Sequence, residues 1–214
     1  LNKLKGMIYN DGLKQIDSKM ADYEDKKIQF NDYIRFLQER AEKLKINIRA
    51  YDNFFKLVSV LVYEKKIDFN VVDKERSAVI DALTKQMTKD QVANLVAQSL
   101  AFKTAKISSA EFYAYLKALT QQYGIDLAQN YPNLFNYIIY NAVYSRIENE
   151  KLFADIKEVE KAIKEKLFQN DDQRTLDKLS HHADILIGLI NIKLLNGDYE
   201  YYKTHRAEFT PAAF

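Results

Sequence analysis

The chain has no cysteine, and only two prolines and five glycines among its 214 residues. Without cysteine there is no disulfide, no thiolate nucleophile and no cysteine-ligated zinc or iron–sulfur centre. Between Leu13 and Tyr123 neither glycine nor proline occurs, so only side-chain caps and polar breaks can mark boundaries there. Long hydrophobic runs are also missing. Phe54 to Tyr63 and Ile185 to Leu195 contain polar breaks and fall short of the roughly 18 apolar residues that a spanning helix needs. Charge of one sign is absent too: 32 basic residues face 30 acidic ones, for a net charge of +2. No block of like charge suggests a nucleic-acid or anionic-membrane surface. Five scattered glycines exclude a phosphate cradle of the Walker type, and no serine nucleophile elbow or paired-carboxylate motif is found.

What is present is helix-forming. Hydrophobic residues make up 47% and charged residues 29%, enough for a sizeable core in a soluble chain. Strand-like alternation is almost absent; Ile67-Asp68-Phe69-Asn70-Val71 is the one short piece that could be extended. The class is all-α. The chain opens at Leu1 and ends at Thr210-Pro211-Ala212-Ala213-Phe214, where Thr and Pro have the order of a helix start. It is therefore read as an excerpt of a longer protein, and its compartment is left unassigned.

One heptad phase runs from Leu13 to Val62 through Ile16, Met20, Tyr23, Lys27, Phe30, Ile34, Leu37, Ala41, Leu44, Ile48, Tyr51, Phe55 and Val58. Such a stripe seeks another helix. Fifty helical residues would span about 75 Å, against roughly 45 Å for a compact globule of this length. The helix must break or project. Aromatic residues at Tyr23, Phe30 and Tyr51, weak flanking charge pairs and off-stripe Ile28, Phe36 and Ile46 argue against a symmetric zipper. A break near Asn47 to Asn53 is expected, with an arm reaching for a partner as the alternative.

Further on, Thr88 with Gln91 and Ser108 with Glu111 are capping-box pairs. Asp73 is expected to cap a helix carrying Val79, Leu83 and Met87. Gly124 fits a helix C′ position with Ile125 behind it, and Pro132 fits the first turn of the next helix. A helix from Asn149 and another after Gln169-Asn170-Asp171-Asp172 should form an antiparallel hairpin, stopped by Asn196-Gly197 before a last helix capped by Asp198. No internal repeat or low-complexity tract is found. The expected fold is a multi-helix bundle of about seven or eight helices, with a long N-terminal coiled-coil-like helix and a C-terminal antiparallel helical hairpin. Residues 1-50 form the arm or first helix and 51-214 the bundle, or the two are one continuous domain.

Few residues offer chemistry. Asp177, His181 and Asp184 lie three and four apart on one helix face, beside His182, and carboxylate with imidazole can bind a divalent metal or relay a proton. The competing reading is a solvated face with a helix-borne hydrogen bond, and the hairpin partner offers only Glu158, Glu160 and Glu165. Ile107 to Phe112 has the outline of half an EF-hand loop. Its earlier ligand positions, however, fall on Leu100, Phe102 and Thr104, so calcium is rejected and Glu111 is assigned to its capping box. Arg35, Arg40, Lys43, Lys45 and Arg49 are interleaved with Asp32, Glu39, Glu42 and Asp52, which cancels most of a phosphate-seeking field.

Tyr137, Tyr140 and Tyr144 form a stripe, suited to the rim of a core or to a partner surface, and Tyr199, Tyr201 and Tyr202 cluster near the end. The expectation is a non-enzymatic structural or protein-interaction module with no cofactor. A protein partner or self-association would use apolar helix faces, with Tyr23, Phe30, Ile34, Leu37, Tyr137, Tyr140 and Tyr144 as interface candidates. A metal-dependent or proton-transfer enzyme built on Asp177, His181 and Asp184 is the alternative, and a nucleic-acid-binding helical domain comes third.

Overall fold

The computed structural model describes residues 1–194 and 196–210; the terminal Pro211–Phe214, where a further helix start is expected, lies outside them. The described residues form twelve α-helices and two 3₁₀ turns and no strand. The helices are α1 (Asn2–Ile8), α2 (Asp11–Glu24), α3 (Phe30–Lys43), α4 (Asp52–Glu64), α5 (Phe69–Thr84) and α6 (Lys89–Lys103). They continue as α7 (Ser109–Gln122), α8 (Leu127–Asn130), α9 (Pro132–Tyr144), α10 (Asn149–Leu167), α11 (Asp171–Ile190) and α12 (Asn196–Thr204). The 3₁₀ turns are Ile48–Ala50 and Arg206–Glu208.

The heptad stripe is not one helix. It is cut into α2, α3 and α4, with a 3₁₀ turn before α4, so the expected break at Asn47 to Asn53 is joined by another after Glu24. Each cut has the same cause. Lys26 (φ 58°) and Lys45 (φ 56°) adopt the left-handed conformation. Lys27 N–H then donates to the Asp22 carbonyl (2.8 Å) and Lys26 N–H to that of Tyr23 (3.0 Å); Ile46 N–H and Lys45 N–H do the same toward Ala41 and Glu42. These are Schellman caps, which satisfy the last carbonyls of a helix and turn the chain away. Lysine carries no C′ signal, so the stripe continues across both caps in sequence. Ala105 (φ 55°), Gly124 (φ 67°) and Ile192 (φ 55°) end α6, α7 and α11 in the same way.

Only Gly124 suits that backbone, and an added Cβ there would meet nothing within 4 Å. Gly124→Ala is therefore expected to cost about 1 kcal/mol through backbone conformation alone. Urea unfolding measures it; an unchanged midpoint would mean that the cap does not hold.

The interhelix connections do repeat, which corrects the reading of a chain without repeats. Ile28, Ile46, Ile67, Met87, Ile107, Ile125 and Ile147 recur about every 20 residues, each followed by a polar residue: Gln29, Asn47, Asp68, Thr88, Ser108, Asp126 and Glu148. Asp68, Thr88, Ser108 and Asp126 accept from the first turn of the following helix. Ile28, Ile67, Met87, Ile107 and Ile147 stand at the staple position, with Tyr33, Val72, Val92, Phe112 and Leu152 five residues on. Both expected capping boxes form. Helix α5 begins at Phe69 on an Asp68 cap, so the 67–71 piece is a helix start and Asp73 lies inside the helix. Helix α11 stops at Ile190 rather than at Asn196-Gly197, because Leu194 folds back over Gly188, where an added Cβ would lie 2.9 Å from the leucine Cδ1. Asp198 accordingly falls within α12.

Contacts divide the chain into two compact units. Unit 1 joins Leu1–Ile48 to the described residues from Phe153 onward, and unit 2 is Arg49–Leu152. The boundaries between them fall after Ile48 and after Leu152.

Unit 2 is organised around α9, which touches α4, α5, α7 and α8. Its apolar residues leave no fully polar face, as a helix with neighbours on several sides requires. Val79, Leu83, Phe112, Leu116, Leu134 and Ile138 are buried together. The α9 N-terminus is tied to α5: Leu134 N–H donates to Glu75 Oε2 (2.7 Å) and Asp68 N–H to Asn133 Oδ1 (2.9 Å). A carboxylate there also meets the positive end of the helix dipole.

Unit 1 is closed by contacts between the two ends of the chain. Tyr9, Leu13 and Leu176 pack as one cluster, edged by Ile8, Leu167 and Phe168. Around them runs a polar lock. Asn10 Nδ2 donates to the Leu167 carbonyl (2.8 Å) and to Gln173 Oε1 (3.2 Å), while its Oδ1 caps α2. Gln173, 3% exposed, donates to the Ile8 carbonyl (2.9 Å) and accepts from Gln169 N–H (2.9 Å).

Candidate functional site

The α11 face singled out in the sequence is a structural junction. Asp177 accepts from Lys164 Nζ at 2.8 Å and from the Tyr9 hydroxyl at 3.0 Å. Burial and the Asp177 charge push the Tyr9 phenol well above its ordinary range. His181 meets the ring of Tyr201 edge-on at 5.1 Å, and burial lowers its pKa against the pull of Asp198 and Asp184. Asp184 is shifted upward by burial, with Lys5 and His181 opposing. The buried imidazole is the neighbouring His182, 2% exposed, with Nε2 3.2 Å from the Tyr201 hydroxyl and its ring 4.3 Å from Phe209. Of the α10 carboxylates, Glu165 pairs with Arg174 and Glu160 receives the Tyr33 hydroxyl. Among the described residues no group of three or more histidine or acidic side chains is placed to hold a metal ion. The face joins α1, α10, α11 and α12 through these contacts.

The Ser108–Glu111 pair acts as a cap. Glu111 Oε2 accepts from Ser108 N–H at 2.7 Å, and these bonds to Ser108 hold its carboxyl below the usual range. Three of the basic residues beside the stripe are engaged locally: Arg35 lies 3.7 Å from Asp32, Arg40 over the Phe36 ring and Arg49 over that of Phe55.

The interface candidates separate into two groups. Ile34 and Leu37 are fully buried and belong to the core. Tyr23 stacks on the buried Tyr33 at 4.8 Å, and Phe30 tilts between Tyr23 and Phe153. The α9 tyrosines differ. Tyr137 and Tyr140 stack at 6.1 Å and 9°, and Tyr140 and Tyr144 at 5.9 Å and 6°. Tyr113, whose hydroxyl accepts from Arg76, abuts Tyr137 edge-on at 5.0 Å and anchors the ladder in the core. Phe69 sets its edge against both Tyr137 and Tyr140. The outer members stay open to solvent, Tyr144 at 58% and Phe69 at 49%. Phe69 escaped the sequence reading because it stands at the first position of α5; only the fold brings it to α9. On the other flank of α9, Ile138, Ile139 and Ala142 line an open groove with Ala110, Ala114 and Ala118 of α7.

No described helix is long and apolar enough to cross a membrane. No family model, curated protein or solved structure matches the chain.

Proposed function

We propose that the chain is a non-enzymatic helical module for protein interaction, with the Tyr137–Tyr140–Tyr144 ladder and Phe69 as its recognition face. The observation that carries this reading is an aromatic ladder packed at one end and half exposed at the other. Aromatic side chains supply large contact areas, and rings already held by neighbours lose little freedom on binding. Glu64 lies close enough to Tyr140 to raise its pKa along with burial, so the face has an acidic flank. The occupant is a second copy of the chain or another protein.

A photo-crosslinking residue placed at Tyr144, compared with one at the exposed Glu150, tests the proposal. A discrete protein adduct at position 144, lost when Phe69 is changed to Ser, is the expected result. Position 144 is half exposed and should change thermal stability little, while loss of the Phe69 edge contacts should cost about 1 kcal/mol without unfolding the chain. No adduct from position 144, with light scattering giving the mass of one chain at every concentration, would overturn it. The buried Ile34 is unsuited to such a test, since an aspartate there would disrupt the core.

A further inference from the structure

We propose that Glu160 and Tyr33 form a proton-uptake device that strengthens unit 1 on mild acidification. Glu160 of α10 accepts the Tyr33 hydroxyl of α3 at 2.5 Å. Tyr33 is 1% exposed, and the Tyr23 ring of α2 lies flat against it. Two lysines stand one turn away on α10, but each is committed elsewhere. Lys157 Nζ lies 2.6 Å from Asp198 of α12, and Lys164 Nζ lies 2.8 Å from Asp177 of α11. On α1, Lys5 Nζ lies 2.6 Å from Asp17 of α2. Each ammonium in this layer already neutralises an aspartate. Glu24 of α2 and Asp184 of α11 add negative charge, and burial lowers the pKa of His181 on α11. Glu160 is thus left with a phenol as its hydrogen-bond partner, with the Glu24 carboxylate adding negative charge nearby.

A half-buried carboxylate in that position holds a proton more tightly than one in water. Burial is the largest cause of the upward shift at Glu160, with Glu24 adding to it; the Tyr33 hydrogen bond, Lys164 and Lys157 pull the other way. The proton comes from solvent, adds to the Glu160 carboxylate and leaves Tyr33 a neutral phenol. Because the folded state binds this proton more tightly than the unfolded chain, the buried charge weakens unit 1 above the folded pKa. That cost is relieved as pH falls through it toward the ordinary glutamate value. His181 and His182 have the opposite sign: with lowered pKa values, they cost stability as pH falls below the ordinary histidine range. A Glu160 variant separates the two effects.

Carboxyl-carbon NMR titration of the whole chain should place the Glu160 midpoint above that of free glutamate. Tyr33→Phe removes a donor to the carboxylate and should move the midpoint further up, a response that mere packing would not give. Glu160→Gln should raise the melting temperature at pH 8, and that gain should vanish at pH 4. A Glu160 midpoint at or below that of free glutamate overturns the proposal, as does a melting difference independent of pH. The titration of the unaltered chain decides the matter even if the glutamine variant fails to fold.

Discussion

Gln173→Leu is expected to destabilise unit 1 by about 3 kcal/mol, because a leucine of similar size can make none of the lock's hydrogen bonds. The native amide satisfies the Ile8 carbonyl, Gln169 N–H and one proton of Asn10 Nδ2, all around a side chain 3% exposed. Each buried partner left unsatisfied costs on the order of 1 kcal/mol or more, and water has no easy access to replace the amide. Gln173→Glu sharpens the test. It keeps the acceptor toward Gln169 and Asn10 but turns a carboxylate oxygen toward the Ile8 carbonyl, so it should also be harmful. Hydrogen exchange at the amides of α1, α2 and α11, combined with urea unfolding, measures the loss. Full protection in the leucine variant would show that the lock does not hold the chain ends together.

The second large effect has the opposite sign. Lys26, Lys45, Ala105 and Ile192 hold positive φ at helix ends, where glycine is favoured. A left-handed residue other than glycine costs about 1 kcal/mol or more, partly offset by the greater freedom glycine has when unfolded. Replacing all four with glycine should raise stability by about 2 to 3 kcal/mol in total, as the four caps end different helices, share no hydrogen-bond partner and should add. Ile192→Gly should contribute most, since a β-branched residue suits this backbone least and its side chain is 93% exposed. Single variants in thermal and urea unfolding check each share. A glycine that destabilises would mean that its side chain contributes more than the backbone strain costs.

The same caps explain what could be read in the sequence and what could not. The Thr88 and Ser108 boxes, Gly124 and Pro132 were legible because both partners of each signal lie within a few residues. The breaks after α2 and α3 were only half legible. The heptad stripe crosses both, and lysine at C′ says nothing until its φ is seen. The stop of α11 was misplaced for a related reason: Leu194 over Gly188 is a three-dimensional contact.

The candidate site follows the same rule of local and distant contacts. Asp177, His181 and Asp184 do share α11, but the groups that engage them come from Tyr9, Lys164 and Tyr201 on three other helices. The interface candidates were drawn from periodicity, which cannot tell a buried stripe from an exposed one. Ile34 and Leu37 went to the core, while Tyr144 stayed open.

By itself, the sequence determined an all-α chain and the starts of α6, α7, α9, α10 and α11, because caps and helical periodicity are local and need no partner. Tertiary structure alone decided that Asn10 meets Gln173, that Tyr33 meets Glu160, and that Phe69 joins the α9 ladder. Those contacts join residues far apart in the chain, and their energies depend on burial and on which ammonium reaches which carboxylate.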